Sequence, residues 1–361
     1  MSALPARADA LVIGGGVVGT SIACQLAESG VDTVLLERGT LGSGASGATA
    51  GVLRPYFPGD PHTGRLAVRS MAAYHAFAER TGTPLGLERV GFLVVFNDDR
   101  QVADFRRTQA AQQAAGVDVE LVTASEAVRL NPLLSERAVL AAAWAPEAYV
   151  CDPAAIVRGY AAAAQEAGAV LCTDTPVTGL DPDGQVHTPT GSILADTLVC
   201  AAGPWSRTVA SMADIDLPVT TYPIELLLTD PSPSVRLRSR AGFPDAAPAT
   251  TLPMTLHASS GLRIRAWMDR ILVGMGRPDP DEPRRAWLQR VSHQLSTVYP
   301  ALDGIRLHRG WSGAFDGSPN GTAFIGRHPS RPFFYAAGFS GQGLCQAPAA
   351  GEIVRDLVAA E

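Results

Sequence analysis

The sequence predicts a mixed α/β fold in which a parallel-stranded domain, wound with helices, is interleaved with a mostly antiparallel sheet domain. Three observations lead there. The chain opens on an apolar strand, a glycine-rich turn, a helix and a second strand ending in an acid, all within about 30 residues, the spacing of a βαβ unit. Two more buried strands, one starting at Thr197 and one at Pro332, each run into a glycine turn far from that unit in the chain. Between them lie blocks of strand-like segments, near 90–96, 223–229, 262–267 and 270–274.

The first unit reads Ala10-Leu-Val-Ile13, then Gly14-Gly-Gly16-Val-Val-Gly19, a helix to Glu28, and the strand Thr33-Val-Leu-Leu-Glu37. Gly14 makes the tight turn, Gly16 admits a pyrophosphate to the backbone, and Gly19 lets helix and strand pack closely. The helix N-terminus offers unpaired N–H groups and a positive dipole end to phosphate. Glu37 is placed to accept from an adenosine ribose, and its charge repels a 2′-phosphate. A bound dinucleotide is therefore expected. The next segment, Leu41 to Gly51, carries Ser43, Ser46, Gly47 and Gly51, small and hydroxylated residues whose amides and hydroxyls converge on phosphate or a flat ring.

A long Ala-rich helix containing Met71–His75 closes the first block. Residues 85–145 begin the second domain with the run Val90–Phe96, a polar helix rich in Gln and Ala, and a capping box at Thr123–Glu126. Residues 146–212 return to the first domain, with a helix over 154–167, a strand over 170–173 and a meander turning at Asp183-Gly184 and Thr190-Gly191. The strand from Thr197 then ends in Ala201-Ala-Gly-Pro-Trp-Ser206. Residues 213–317 complete the second sheet, and the Pro-rich segment Pro231–Pro253 reads as a loop. Residues 318–361 bring the last buried strand, the turn Gly338-Phe-Ser-Gly-Gln-Gly-Leu344, and a helix over 347–360. The domains are thus 1–84, 146–212 and 318–361 against 85–145 and 213–317. No internal repeat is evident.

Composition narrows the function. A net charge of −6 with scattered basic residues and 6% aromatics excludes a nucleic-acid surface. No apolar stretch reaches membrane-spanning length, and the N-terminal apolar run has no signal-peptide layout, so a cytoplasmic protein is expected. Cys24, Cys151, Cys172, Cys200 and Cys345 show neither CxxC nor metal spacing, so no disulfide and no metal are expected. No Ser/His/Asp triad or carboxylate pair stands out, as befits chemistry carried by a cofactor.

The opening unit, the Ala201–Ser206 run, Phe324-Ile-Gly-Arg-His-Pro329 and Ala336-Ala-Gly-Phe-Ser-Gly-Gln-Gly343 occur in the order of a known family. Over nearly its whole length the chain resembles the FAD-dependent amine and amino-acid oxidases of the D-amino-acid oxidase superfamily, the glycine and sarcosine oxidases above all. The resemblance implies a Rossmann-type FAD domain and a substrate domain. It extends the cofactor contacts to Val17, Val18, Arg38, Val177, Ala202, Gly203, Trp205, Gly313, Gly338, Gly341, Gln342, Gly343 and Leu344. The Gly338–Leu344 amides and the dipole of the last helix would then face the flavin.

By the same resemblance Val52 and Arg54 lie on the stretch that crosses the flavin face, and Arg54 is a candidate for the substrate carboxylate. Arg263 and Arg265 alternate on one strand and share a face. Facing inward they clamp a carboxylate; facing outward they are ordinary solvated charges. Glycine oxidases carry a carboxylate-binding arginine where this chain has Phe315, which favours an apolar substituent. Sarcosine oxidase's oxygen-activating lysine is replaced by Cys345. Its flavin-linking cysteine falls near Gly313, and no His lies in 43–49, so noncovalent FAD is expected. His257 and His328 stay off the catalytic list.

The resemblance thus implies oxidation of an amine C–N bond to an imine, with oxygen as electron acceptor and hydrogen peroxide as product. The preferred substrate is an N-substituted glycine, such as an N-carboxymethyl amino acid, with an apolar substituent. The alternatives are a D-amino-acid or proline-type dehydrogenase using another acceptor, and an FAD-binding subunit of a larger sarcosine-oxidase-type complex. A homo-oligomer is left open.

Overall fold

The structure is a computed structural model that describes residues 4–231, 252–277, 279 and 281–361. Most of the Pro231–Pro253 segment lies outside the described residues. Two eight-stranded sheets and one three-stranded sheet make up the architecture.

In the first large sheet, Arg7–Ile13 lies at the centre, parallel to Thr33–Leu36 on one side and Gly191–Cys200 on the other. Val170–Cys172 and Phe333–Ala337 extend it in parallel at either hand. Strands this thoroughly buried are unbroken apolar runs because both faces are covered, one by helices and the other by the residues around Val209, Ile215 and Leu217. Thr33–Leu36 is buried at every position. Helices Val17–Glu28, Pro153–Glu166 and Gly343–Ala359 supply the packing, with Ile22, Ile156 and Val354 in one cluster beneath the strands. The expected meander forms, with Gly179–Leu180, Gln185–Thr188 and Gly191–Cys200 paired antiparallel in succession and turned at residues 182–184 and 189–190.

The second large sheet runs in the order Leu307–Gly317, Thr220–Thr229, Arg270–Gly274, Arg263–Trp267, Met254–His257, Phe92–Phe96, Ala141–Ala145, Glu120–Thr123. Every pairing is antiparallel except Met254–His257 with Phe92–Phe96. Period-two alternation decides its faces. Ile264, Ile271 and Val273 pack under the helix Arg284–Val298 with Trp287 and Leu295. Arg263 and Arg265 therefore point the other way. The capping box forms as read: Glu126 accepts the Thr123 N–H at 2.9 Å, and Thr123 Oγ1 accepts the Glu126 N–H at 3.2 Å.

The last helix starts four residues earlier than its composition suggests, at Gly343 and not at Ala347. Pro348 obscures that start. A proline inside a helix cannot donate to the carbonyl four residues before it. That carbonyl belongs to Leu344, and the buried Tyr74 hydroxyl donates to it at 2.6 Å. A tertiary hydrogen bond thus stands in for the missing helical one.

Candidate functional site

The first βαβ turn is built by close approach. Gly14 has φ +115°, and a Cβ there would meet the Ala201 carbonyl at 2.5 Å, while one on Gly19 would meet the Gly14 carbonyl at 1.8 Å. Only glycine permits the Val17–Glu28 helix to start so close to the strand ends. No acid occupies that helix's first turn, so nothing there repels phosphate. Ser46 Oγ accepts the Val17 N–H at 2.9 Å and holds the small-residue loop over the turn. Glu37 accepts from Gly15 N–H at 2.7 Å and Gly39 N–H at 2.9 Å. These bonds orient the carboxylate and leave lone pairs for a ribose.

A cavity of about 980 Å³ runs from this turn to the second sheet. On the nucleotide side it is lined by Gly14, Gly16, Val17, Val18, Glu37, Arg38, Ser43, Ser46, Val177, Ala202, Gly203 and Trp205. The Arg38 guanidinium stacks 3.6 Å above the Trp205 ring and closes one part of that wall. Further along, the wall is made by Gly313, Gly341, Gln342, Gly343 and Leu344. Gly313 is glycine for a reason of space, since a Cβ there would stand 2.3 Å from that of Ala48. Four of the expected cofactor residues lie outside the wall. Gly19 and Gly51 serve packing, Gly47 lies behind the loop, and Gly338 has its N–H committed elsewhere.

An elongated cavity with an open helix N-terminus, an oriented ribose acceptor and a stacked platform fits a dinucleotide such as FAD. Cys345 is the one cysteine lining it, with its thiol directed to the Val52 carbonyl at 3.4 Å, and no His lines it among the described residues.

The substrate-side residues Val52, Arg54, Arg263, Arg265 and Phe315 all line the same cavity. Arg54 lies against the Phe57 and Phe92 rings and donates to the Tyr56 carbonyl. Arg265 is 7% exposed, stacks 4.5 Å from Trp267, donates to Ala266 O at 3.0 Å, and leaves its buried Nε without an acceptor. Arg263 makes no hydrogen bond or ion pair among the described residues. Its side chain is exposed where it lines the cavity, and the packed surroundings of the guanidinium still push it down. Burial likewise lowers Arg54 and Arg265 to about 10, and the Arg263 charge adds to the effect on Arg54. All three remain cationic at neutral pH. Desolvated cations such as Arg54 and Arg265, with no ion pair among the described residues, are costly unless an anion is supplied.

Phe315 stacks on Tyr222, ring centres 5.5 Å apart, and with Leu272 and Met275 makes an apolar wall beside the arginines. His257 lies away from the cavity, bonded to Ser260 at 2.8 Å, and burial lowers its pKa. The sequence reading overlooked Asp316. Its Oδ2 accepts the Gly338 and Phe339 N–H groups at 2.7 and 3.1 Å, and its carbonyl accepts the Ser340 N–H at 2.6 Å. These amides of the Gly338–Leu344 turn are therefore not available to a ligand. Gly341, Gly343 and Leu344, at the start of the helix, stay along the cavity. No local motif marks Asp316, since its role arises only when strand and turn meet.

A family model described as "FAD dependent oxidoreductase" matches residues 9–357. The glycine oxidase of Geobacillus kaustophilus is 29% identical, over 98% of this chain and 93% of that one. The solved L-proline dehydrogenase of P. horikoshii superposes with a TM-score of 0.87 at 30% identity, over 99% of this chain and 94% of that one. The mitochondrial dimethylglycine dehydrogenase of Mus musculus is 27% identical over 98% of this chain, which spans 42% of that longer protein. No helix among the described residues is long and apolar enough to cross a membrane.

Proposed function

The chain belongs to the FAD-dependent oxidoreductase family and is an amine oxidoreductase, and from that premise we propose that its substrate is an N-substituted glycine with an apolar substituent, held beside noncovalent FAD. The observation that carries this is the unpaired arginine group. Arg54, Arg263 and Arg265 supply cations at one cavity wall and form no ion pair among the described residues, and a substrate carboxylate answers that charge. The apolar wall around Phe315 and Met275 receives the substituent and keeps water from the reacting carbon.

When bound, FAD supplies the two-electron acceptor for the carbon next to the amine. The protein's part is placement. The arginines fix the carboxylate, the apolar wall fixes the substituent, and the carbon between them is held against the stretch Val52–Arg54. Any general base is unnecessary if the amine arrives neutral. With FAD bound, the C–N bond would give up two electrons and two protons to become an imine that water hydrolyses, and oxygen as the final acceptor would take them to give hydrogen peroxide.

A second reading, a dehydrogenase passing electrons to another acceptor, draws on two observations. The chain contains no lysine, all 29 of its basic residues being arginine, so a lysine cannot activate oxygen. The proline dehydrogenase structure is also a near match in fold. Anaerobic titration of the FAD-loaded protein tests both. Flavin bleaching by N-alkylglycines and N-carboxymethyl amino acids, but not by glycine, D-amino acids or proline, is expected. Admitting air then gives peroxide at the rate of turnover, or shows slow reoxidation and the dehydrogenase. Bleaching by proline or D-amino acids alone would overturn the substrate reading.

A further inference from the structure

A buried carboxylate at the joint of the two large sheets has no part in the reading above. Asp316, on the strand Leu307–Gly317, is 6% exposed and lines the cavity beside Phe315 and Ser340. Its Oδ2 holds the Gly338 and Phe339 amides. No cation pairs with it among the described residues. Burial pushes its carboxyl up, opposed only by backbone hydrogen bonds.

Accepting two N–H groups does not require a charge, because a carboxamide oxygen has two lone pairs as well. An unpaired buried carboxylate costs more than a neutral acceptor would. The charge therefore calls for a role of its own. The nearby electrostatic feature is the N-terminus of the Gly343–Ala359 helix, which lines the same cavity through Gly343 and Leu344. That terminus carries the equivalent of about half a positive charge and would draw electrons onto a bound flavin. A carboxylate near the same wall opposes it.

We infer that Asp316 is a positioning residue that also acts through its charge. It ties the Gly338–Ser340 turn to the second sheet, and it lowers the electron affinity of the flavin bound beside that turn. A flavin tuned this way takes electrons less avidly from the amine and gives them up more readily to the acceptor. The inference needs FAD in the cavity but is independent of which amine is oxidised.

The test compares FAD-loaded wild type with Asp316→Asn, reading the two-electron midpoint potential by equilibration with redox dyes and the affinity for sulfite, which adds to electron-poor flavins. Asn keeps both acceptor bonds and removes the charge. The expected result is sulfite binding at least tenfold tighter and a potential higher by about 30 mV, the two-electron equivalent of tenfold. Asp316→Glu, which retains the charge, should move the potential back toward wild type. Unchanged potential and sulfite affinity in an Asn variant that binds FAD normally would overturn the inference and leave Asp316 a mere tie. If the Asn variant loses FAD, Asp316→Ser, neutral and smaller, carries the same expectation and the same refutation.

Discussion

Arg263 offers a test in which stability and binding should move in opposite directions. It has no partner among the described residues, and its charge disfavours the neighbouring Arg54 guanidinium. Replacing it by Met keeps the length and apolar stem and removes the charge. The folded protein loses no hydrogen bond and is relieved of one cation–cation repulsion. That relief amounts to at most about 1 kcal/mol, because water in a cavity of this width screens the pair. At about 2 cal/mol/K of unfolding entropy per residue over 361 residues, the melting midpoint should rise by only about 1 °C. The substrate, by contrast, loses a charge-assisted hydrogen bond of about 1.5–3 kcal/mol. Its dissociation constant should weaken by about ten- to 150-fold. Differential scanning fluorimetry and anaerobic flavin titration with an N-alkylglycine read the two quantities on the same preparation. A midpoint lowered by several degrees would show that Arg263 has a structural partner. Unchanged binding would show that the carboxylate sits elsewhere.

Three further outcomes can be stated. Trp205→Ala removes the platform under Arg38, a contact of about 0.5–2 kcal/mol, so FAD should bind about two- to thirtyfold more weakly in titrations of the apoprotein. Tyr74→Phe leaves the Leu344 carbonyl without its donor and should cost about 1–3 kcal/mol in denaturant unfolding. Burial raises all five thiols, Cys24 and Cys151 to about 12 and Cys200 to about 11, so a thiolate-selective reagent at pH 8 should label native protein slowly and unfolded protein at all five cysteines. Because these pKa values lie above the unfolded value of 9.0, the stability they reflect is full below about pH 9 and is lost as pH rises toward 12. Alkaline unfolding that begins with no change in thiol ionisation would contradict this.

The opening βαβ unit was legible because its meaning is local. Turn, helix start and acid lie within one short stretch, and the steric demands on Gly14 and Gly19 arise between neighbours in that stretch. The same holds for the Thr123 cap and for the alternation that sends Arg263 and Arg265 to one face. Which face that was, inward or solvated, the alternation could not say. The helix Arg284–Val298 decided it by covering the opposite side with Trp287 and Leu295.

The features that remained hidden each depend on partners distant in the chain. The start of the last helix was masked by Pro348 and is completed by Tyr74, some 270 residues away. The amides of the Gly338–Ser340 turn looked free for a ligand until the strand Leu307–Gly317 brought Asp316 against them. By itself, then, the sequence determined the nucleotide turn, the strand periods and the chemical types at the cavity. The tertiary structure alone decided which of those groups are spent on one another and which are left to bind, because desolvation and pairing exist only once the two sheets have closed on a common cavity.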